Sequence, residues 1–228
     1  HLNLYADKSY YYVTYDGTNG KRIQNTIQPT GAATTTTSEY DGYYFHEIDK
    51  FNIGKIGKVW FGEEFYLQTE QDFSFEIPNL LANSSAKLDA HVGDVTFVNT
   101  KFKIAINGST PDEVSLNHVG SNSTDLIEHA SYTKNFAATN TINVKFTYDN
   151  NGVPTSKGYL DYIKINTVNT LTGFGQQFRF KKDNLPSSGI VEYQFSNASG
   201  ISRIWDITDI YNVNAMVAGN NQSSFSFK

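Results

Sequence analysis

Glu47 and Asp49 stand two residues apart in the phrase His46-Glu47-Ile48-Asp49-Lys50-Phe51-Asn52, the first place to look for hydrolytic chemistry. Side chains two apart on a strand share a face, and retaining glycoside hydrolysis uses two carboxyls about 5 Å apart as nucleophile and acid. A full E-x-D-x-x-E pattern supplies both. Here the last position is Asn52, which cannot donate and recover a proton at a useful pKa, so the expected role is a structural edge or turn. Glu63 and Glu64 are adjacent, and on an extended chain they point to opposite faces. Asp149-Asn150-Asn151-Gly152 opens like a calcium loop, yet the later ligands and the closing Glu do not follow, which leaves a hairpin turn. His1, His46, His91, His118 and His129 show neither H-x-H nor H-E-x-x-H spacing, so any metal centre would have to be assembled from distant strands. There is no G-x-S-x-G, and cysteine is absent, which removes thiol nucleophiles, thiolate ligands and disulfides together. No catalytic residue, metal or cofactor is assigned.

The elements that would position any site read as strands. Apolar and polar residues alternate at Phe73-Ser74-Phe75-Glu76-Ile77, at Ala86, Leu88, Ala90 and Val92, and at Phe102, Ile104 and Ile106. The best run is Ile142, Val144, Phe146 and Tyr148 against Asn143, Lys145 and Thr147. One wet and one dry face per strand is the mark of antiparallel sandwich sheets. Asn107-Gly108, Asn150-Asn151-Gly152 and Lys157-Gly158 read as turns that tolerate positive φ. Tyr10 to Tyr15, Tyr43 to Glu47, Val59 to Phe61, Phe178 with Phe180, Val191 to Phe195 and Ile204 to Ile207 read as further strands, and residues 31–38 as an exposed polar loop. No 12-residue stretch keeps a helical period. The expectation is an all-β chain: residues 70–168 form an antiparallel, jelly-roll-like β-sandwich, 1–69 is an N-terminal β segment packing on it, and 169–228 is a C-terminal β segment.

Composition narrows the function classes. The 228 residues are 39% apolar and 18% charged, with 15 Tyr, 16 Phe and 23 Asn, which is strand and turn material rather than a disordered chain. Net charge is −5, and the 18 Lys and Arg are scattered singly or in pairs, so nucleic acid is not an expected partner. No apolar run approaches the roughly 20 residues that cross a bilayer as a helix. Tyr11 and Tyr43 lie in tyrosine runs too dense to be wholly buried, which makes them candidates for exposed stacking contacts. In the tail, Trp205, Asp206 and Asp209 form a candidate docking surface; Trp205 is equally readable as a core residue.

Four phrases occur in order: Tyr43 to Asn52, Gly57-Lys58-Val59-Trp60-Phe61-Gly62-Glu63-Glu64-Phe65, Gly158-Tyr159-Leu160-Asp161-Tyr162-Ile163-Lys164-Ile165-Asn166, and Trp205-Asp206-Ile207-Thr208-Asp209. Together they resemble the region preceding the peptidase domain in the PorU-like sortases of type IX secretion, gingipain-related cysteine peptidases. Residues 70–168 are also similar to carbohydrate-binding jelly rolls. The resemblance implies that this chain is a non-catalytic scaffold, because the family's catalytic Cys and His have no counterpart here. For the parent it implies cleavage of C-terminal signals from cargo, a place on the outer face of the outer membrane, and three kinds of partner: the catalytic domain of the same protein, an outer-membrane barrel and secreted cargo. Two other classes stay open: a free-standing glycan-binding or adhesin module, which an exposed aromatic patch would support, and a sandwich glycoside hydrolase, which needs a second carboxylate to meet Glu47 or Asp49 in space.

Overall fold

The computed structural model describes residues 8, 10–15, 17, 19–55, 59–120, 125–218 and 222–228. In chain order the strands are β1 (Gln24–Asn25), β2 (Thr35–Thr37), β3 (Glu39–Glu47), β4 (Glu64–Phe65), β5 (Glu70–Glu76), β6 (Ser85–Val95), β7 (Thr100–Ile106), β8 (Asp112–Leu116), β9 (Glu128–Ala137), β10 (Thr141–Asp149), β11 (Lys157–Thr170), β12 (Val191–Ser196), β13 (Arg203–Asp206), β14 (Asn214–Ala218) and β15 (Ser224–Phe227). Among the described residues the one helical piece is the 3-10 turn Ile53–Lys55. The fold is the β-sandwich that the alternation predicts.

Two sheets make the sandwich. One has the order β5-β10-β7-β8; the other runs β3-β11-β6-β9, with β4 added to β11. Every pairing in both is antiparallel. Alternation decides what lies between them: Ile142, Val144, Phe146 and Tyr148 of β10 meet Leu88, Ala90 and Val92 of β6 and Ile163 and Ile165 of β11 in one buried cluster. The turns follow local chemistry. Asn107 and Gly108 both have positive φ (50° and 73°), closing the link between β7 and β8 with a bond from Ser109 N to Ile106 O of 2.9 Å. Asn151 and Gly152 do the same between β10 and β11 (51° and 75°).

A second, smaller core gathers Tyr40, Leu171, Phe195, Ala198, Ile204 and Phe227. It underlies two three-stranded sheets, β15-β12-β2 and β1-β14-β13, in which β2 pairs parallel with β12 and β1 parallel with β14. Rings fill it: Phe195 stacks on Phe225 at 5.3 Å and Tyr193 on Phe227 at 5.2 Å.

Several sequence readings need correction. Residues 10–15 pair with no strand, and Tyr10, Tyr11, Tyr12, Val13 and Tyr15 all stand in solvent. Val59 to Phe61 is not a strand; Phe61 makes a single bridge to Phe51. Phe178 and Phe180 alternate but lie in an irregular segment that turns both rings into the second core. The polar run 31–38 contains β2. Lys157-Gly158 is no turn but the start of β11, and Gly158 is there for space: a Cβ would sit 2.7 Å from both Phe102 and Tyr148 ring atoms. His1, Gly57 and Lys58 lie outside the described residues.

Candidate functional site

The outward face of the β3-β11-β6-β9 sheet carries a cluster of ionisable and aromatic groups. Strand register lines them up in rows: Glu47, Tyr162, His91 and Ser131; then Phe45, Lys164, Asp89 and Thr133; then Tyr43, Asn166, Lys87 and Asn135. Rings run obliquely through these rows. Tyr43 stacks on Phe45 (5.9 Å), Phe45 on Tyr162 (5.8 Å), Tyr162 on His91 (5.9 Å) and His91 on Phe61 (6.2 Å), each pair within 28° of parallel. The file descends from solvent to interior, from Tyr43 at 59% exposure to Phe61 at 1%.

Charges in the middle row of this face are paired. Asp89 accepts from Thr133 Oγ1 at 2.6 Å and meets Lys164 at 3.0 Å and Lys87 at 3.1 Å. Burial pushes its carboxyl up, but these three partners outweigh that and hold it below the usual range. Glu47 goes the other way: partial burial first, then the charges of Asp49 and Asp161, raise its pKa. Asp161 is itself engaged, with Oδ2 2.7 Å from His91 Nδ1.

His91 is held on every side. Asp161 fixes Nδ1, Phe61 and Tyr162 flank its ring, and Nε2 lies 3.1 Å from Nδ1 of exposed His129. Asp161 reaches it because the β11–β6 register slips between Leu160 and Tyr162, and a bulge of this kind re-aims the extra side chain. Thirty-eight residues separate His91 from His129, and only strand pairing brings them together, with His129 opposite Gly93. Spacing along the chain offered no signal for it. Among the described residues, no group of three or more His, Cys, Asp or Glu is placed to surround a metal ion.

The other sequence candidates are dispersed. Glu63 pairs with His46 Nε2 at 2.8 Å, while Glu64 takes Lys157 at 2.8 Å and the Tyr159 hydroxyl at 3.2 Å, so the two glutamates serve separate contacts. Asp149 accepts from Asn151 N at 3.2 Å and pairs with Lys103 at 3.1 Å, as a hairpin residue does. His118 is 2.9 Å from Asn99 Oδ1. Tyr11 is fully in solvent and Tyr43 is the outer end of the ring file. Trp205, on β13, is 45% exposed and therefore not a core residue; it lies near Ile207, Ile210 and Tyr211 in the chain, all exposed. Asp206 and Asp209 build the turns between them, accepting from Thr208 N at 3.0 Å and Tyr211 N at 2.9 Å. Asn212 also donates to Asp209, and that bond leads the effects that hold its carboxyl low.

No family model and no curated protein matches the chain. Solved structures do. Dimeric latent PorU from Porphyromonas gingivalis superposes with a TM-score of 0.75 at 14% identity, over 90% of this chain and 20% of that one. This chain thus spans about a fifth of that protein's length, and the two share a fold over nearly all of it. Looser similarity extends to two carbohydrate-binding modules. One is the CBM36-1 domain of a multidomain xylanase from the hindgut metagenome of Trinervitermes trinervoides (TM-score 0.36, 15% identity, 55% of this chain and 95% of that one). The other is CBM35 from Cellvibrio japonicus Abf62 (TM-score 0.36, 12% identity, 63% and 94%).

Proposed function

We propose that the chain is a non-catalytic scaffold of a PorU-like cysteine peptidase, acting at the cell surface to hold a catalytic domain in place. The observation that carries this reading is the shared fold over 90% of the chain with a protein five times its length. The absence of any thiol supports it, because a cysteine peptidase must then keep its nucleophile elsewhere. The docking surface assigned to the catalytic domain is the apolar turn region from Trp205 to Tyr211, whose large side chains are exposed although the strands behind them are packed. Processing of cargo signals, an outer-membrane barrel partner and secreted cargo belong to the same proposal.

Reading the coding frame past Lys228 tests the parent. A downstream α/β domain with paired His and Cys supports the proposal, and a frame without one refutes it. A second reading, a glycan-binding module, is favoured by the exposed end of the ring file at Tyr43 and Phe45. Binding of the isolated chain to a glycan array, lost in Phe45→Ala, would establish that reading instead.

A further inference from the structure

We propose that His91 and His129 form a binding site for a divalent transition-metal cation of the zinc class, with Asp161 as its positioning residue. Two independent features of the sheet, one of them produced by a bulge, converge on one nitrogen. Asp161 Oδ2, 2.7 Å from His91 Nδ1, holds the ring proton there and leaves Nε2 with a free lone pair. Phe61 and Tyr162 stack near-parallel to the same ring, at 21° and 25°, so it cannot turn away. The bulge at Asp161 departs from regular pairing at the point that aims this carboxylate. A carboxylate behind an imidazole whose other nitrogen faces outward is the arrangement by which proteins orient a metal-ligating histidine and raise its basicity.

The second ligand is already at the required distance. Two imidazole nitrogens on one tetrahedral zinc, each about 2.0–2.1 Å from the ion, stand about 3.3 Å apart; His91 Nε2 and His129 Nδ1 are 3.1 Å apart. Without a cation, His129 bridges the gap by donating its Nδ1 proton to His91 Nε2. On metal binding that proton moves to His129 Nε2, both facing nitrogens offer lone pairs, and His91 keeps its proton toward Asp161. Neutral imidazoles suit zinc, copper and nickel and not calcium or magnesium, which take oxygen ligands. His129 is exposed, so water completes the coordination from the open side.

The test is calorimetric titration of the whole chain with Zn²⁺, with Ca²⁺ and Mg²⁺ as controls and thermal melting in parallel. One zinc should bind and raise the melting temperature, while Ca²⁺ and Mg²⁺ do neither. His129→Ala, a surface change that leaves the fold intact, should abolish binding, and Asp161→Asn should weaken it about 10- to 100-fold. Absence of zinc binding overturns the proposal, as does binding that survives in His129→Ala. Unchanged affinity in Asp161→Asn overturns the positioning role.

Discussion

Asp94 should make this protein less stable as pH rises from about 4 to 7, and replacing it by asparagine should remove that loss. The carboxyl is fully buried between the sheets. Oδ2 accepts from the Thr100 hydroxyl and from the Tyr148 hydroxyl, while Oδ1 is buried with no hydrogen-bond partner. Burial dominates and, aided by the charge of Glu128, pushes the pKa from 3.8 up to about 6 against the pull of the two hydroxyls. Between those two values the unfolded chain has released the proton and the folded one still holds it. The folded state then binds more protons than the unfolded, so stability falls with rising pH. The contribution is complete below about pH 3.8, is lost through pH 6, and stays lost above. A rise of about 2 units corresponds to about 3 kcal/mol. Asparagine keeps an oxygen for Thr100 and Tyr148 but carries no charge to desolvate. Urea unfolding of the parent and Asp94→Asn at half-unit steps from pH 4 to pH 7.5 measures the difference directly, since other titrating groups cancel. The variant should gain about 3 kcal/mol on the parent across that range. A difference that is flat within about 0.5 kcal/mol, or that slopes the other way, refutes the reasoning.

Ile163 is fully buried where the two sheets meet, so Ile163→Ala should cost about 2–5 kcal/mol by denaturant unfolding; a melting point unchanged within a degree or two contradicts the packing. Gly158→Ala drives a methyl into the Phe102 and Tyr148 rings and should cost about 1–3 kcal/mol, whereas a neutral result means those rings yield freely. Trp205→Ala should leave stability within about 1 kcal/mol, because the ring is half in solvent, yet weaken association with a downstream peptidase domain in calorimetry; unfolding of the variant, or undiminished binding, counts against the docking surface. Purified chain should hydrolyse neither β-glucans nor peptides, and turnover lost in Glu47→Gln would revive the hydrolase reading.

The sandwich is legible where burial of one face imposes a period of two on the sequence itself, as in β5, β6, β7 and β10. Legibility stops where packing is not two-sided. β9 alternates only weakly, with Tyr132 as its single buried aromatic among Ala130, Lys134 and Phe136. β2 and β15 are short and owe their existence to partners far along the chain, which local pattern cannot show. Phe178 and Phe180 gave a false strand because two rings can enter a core from an irregular segment as well as from a sheet. The same limit applies to the sites. Asn52 is visible in the sequence as a break in the carboxylate motif, but the contacts of Asp161 and of His129 with His91 depend on a bulge and a diagonal strand contact.

How the tail joins the sandwich bears on the docking proposal. β3 and β11 pair along nine residues, with Tyr40 opposite Asn169 and Glu39 opposite Thr170 at one end. The second core takes Tyr40 from the first of these strands and Leu171 from just beyond the second, so its anchors come from the end of a nine-residue ladder in the main sheet. Hydrogen bonds reinforce the seam: Ser196 N reaches Leu171 O at 3.0 Å and Gly173 N reaches Ser196 O at 2.9 Å. Ile204 is buried in that core and Trp205, the next residue along β13, is not. The exposed ring is therefore tied through one residue to the small core and through Tyr40 and Leu171 to the main sheet. The proposed docking role requires a surface that keeps its orientation when a partner binds, since ordering it on association would cost affinity, and anchorage of this kind meets that requirement.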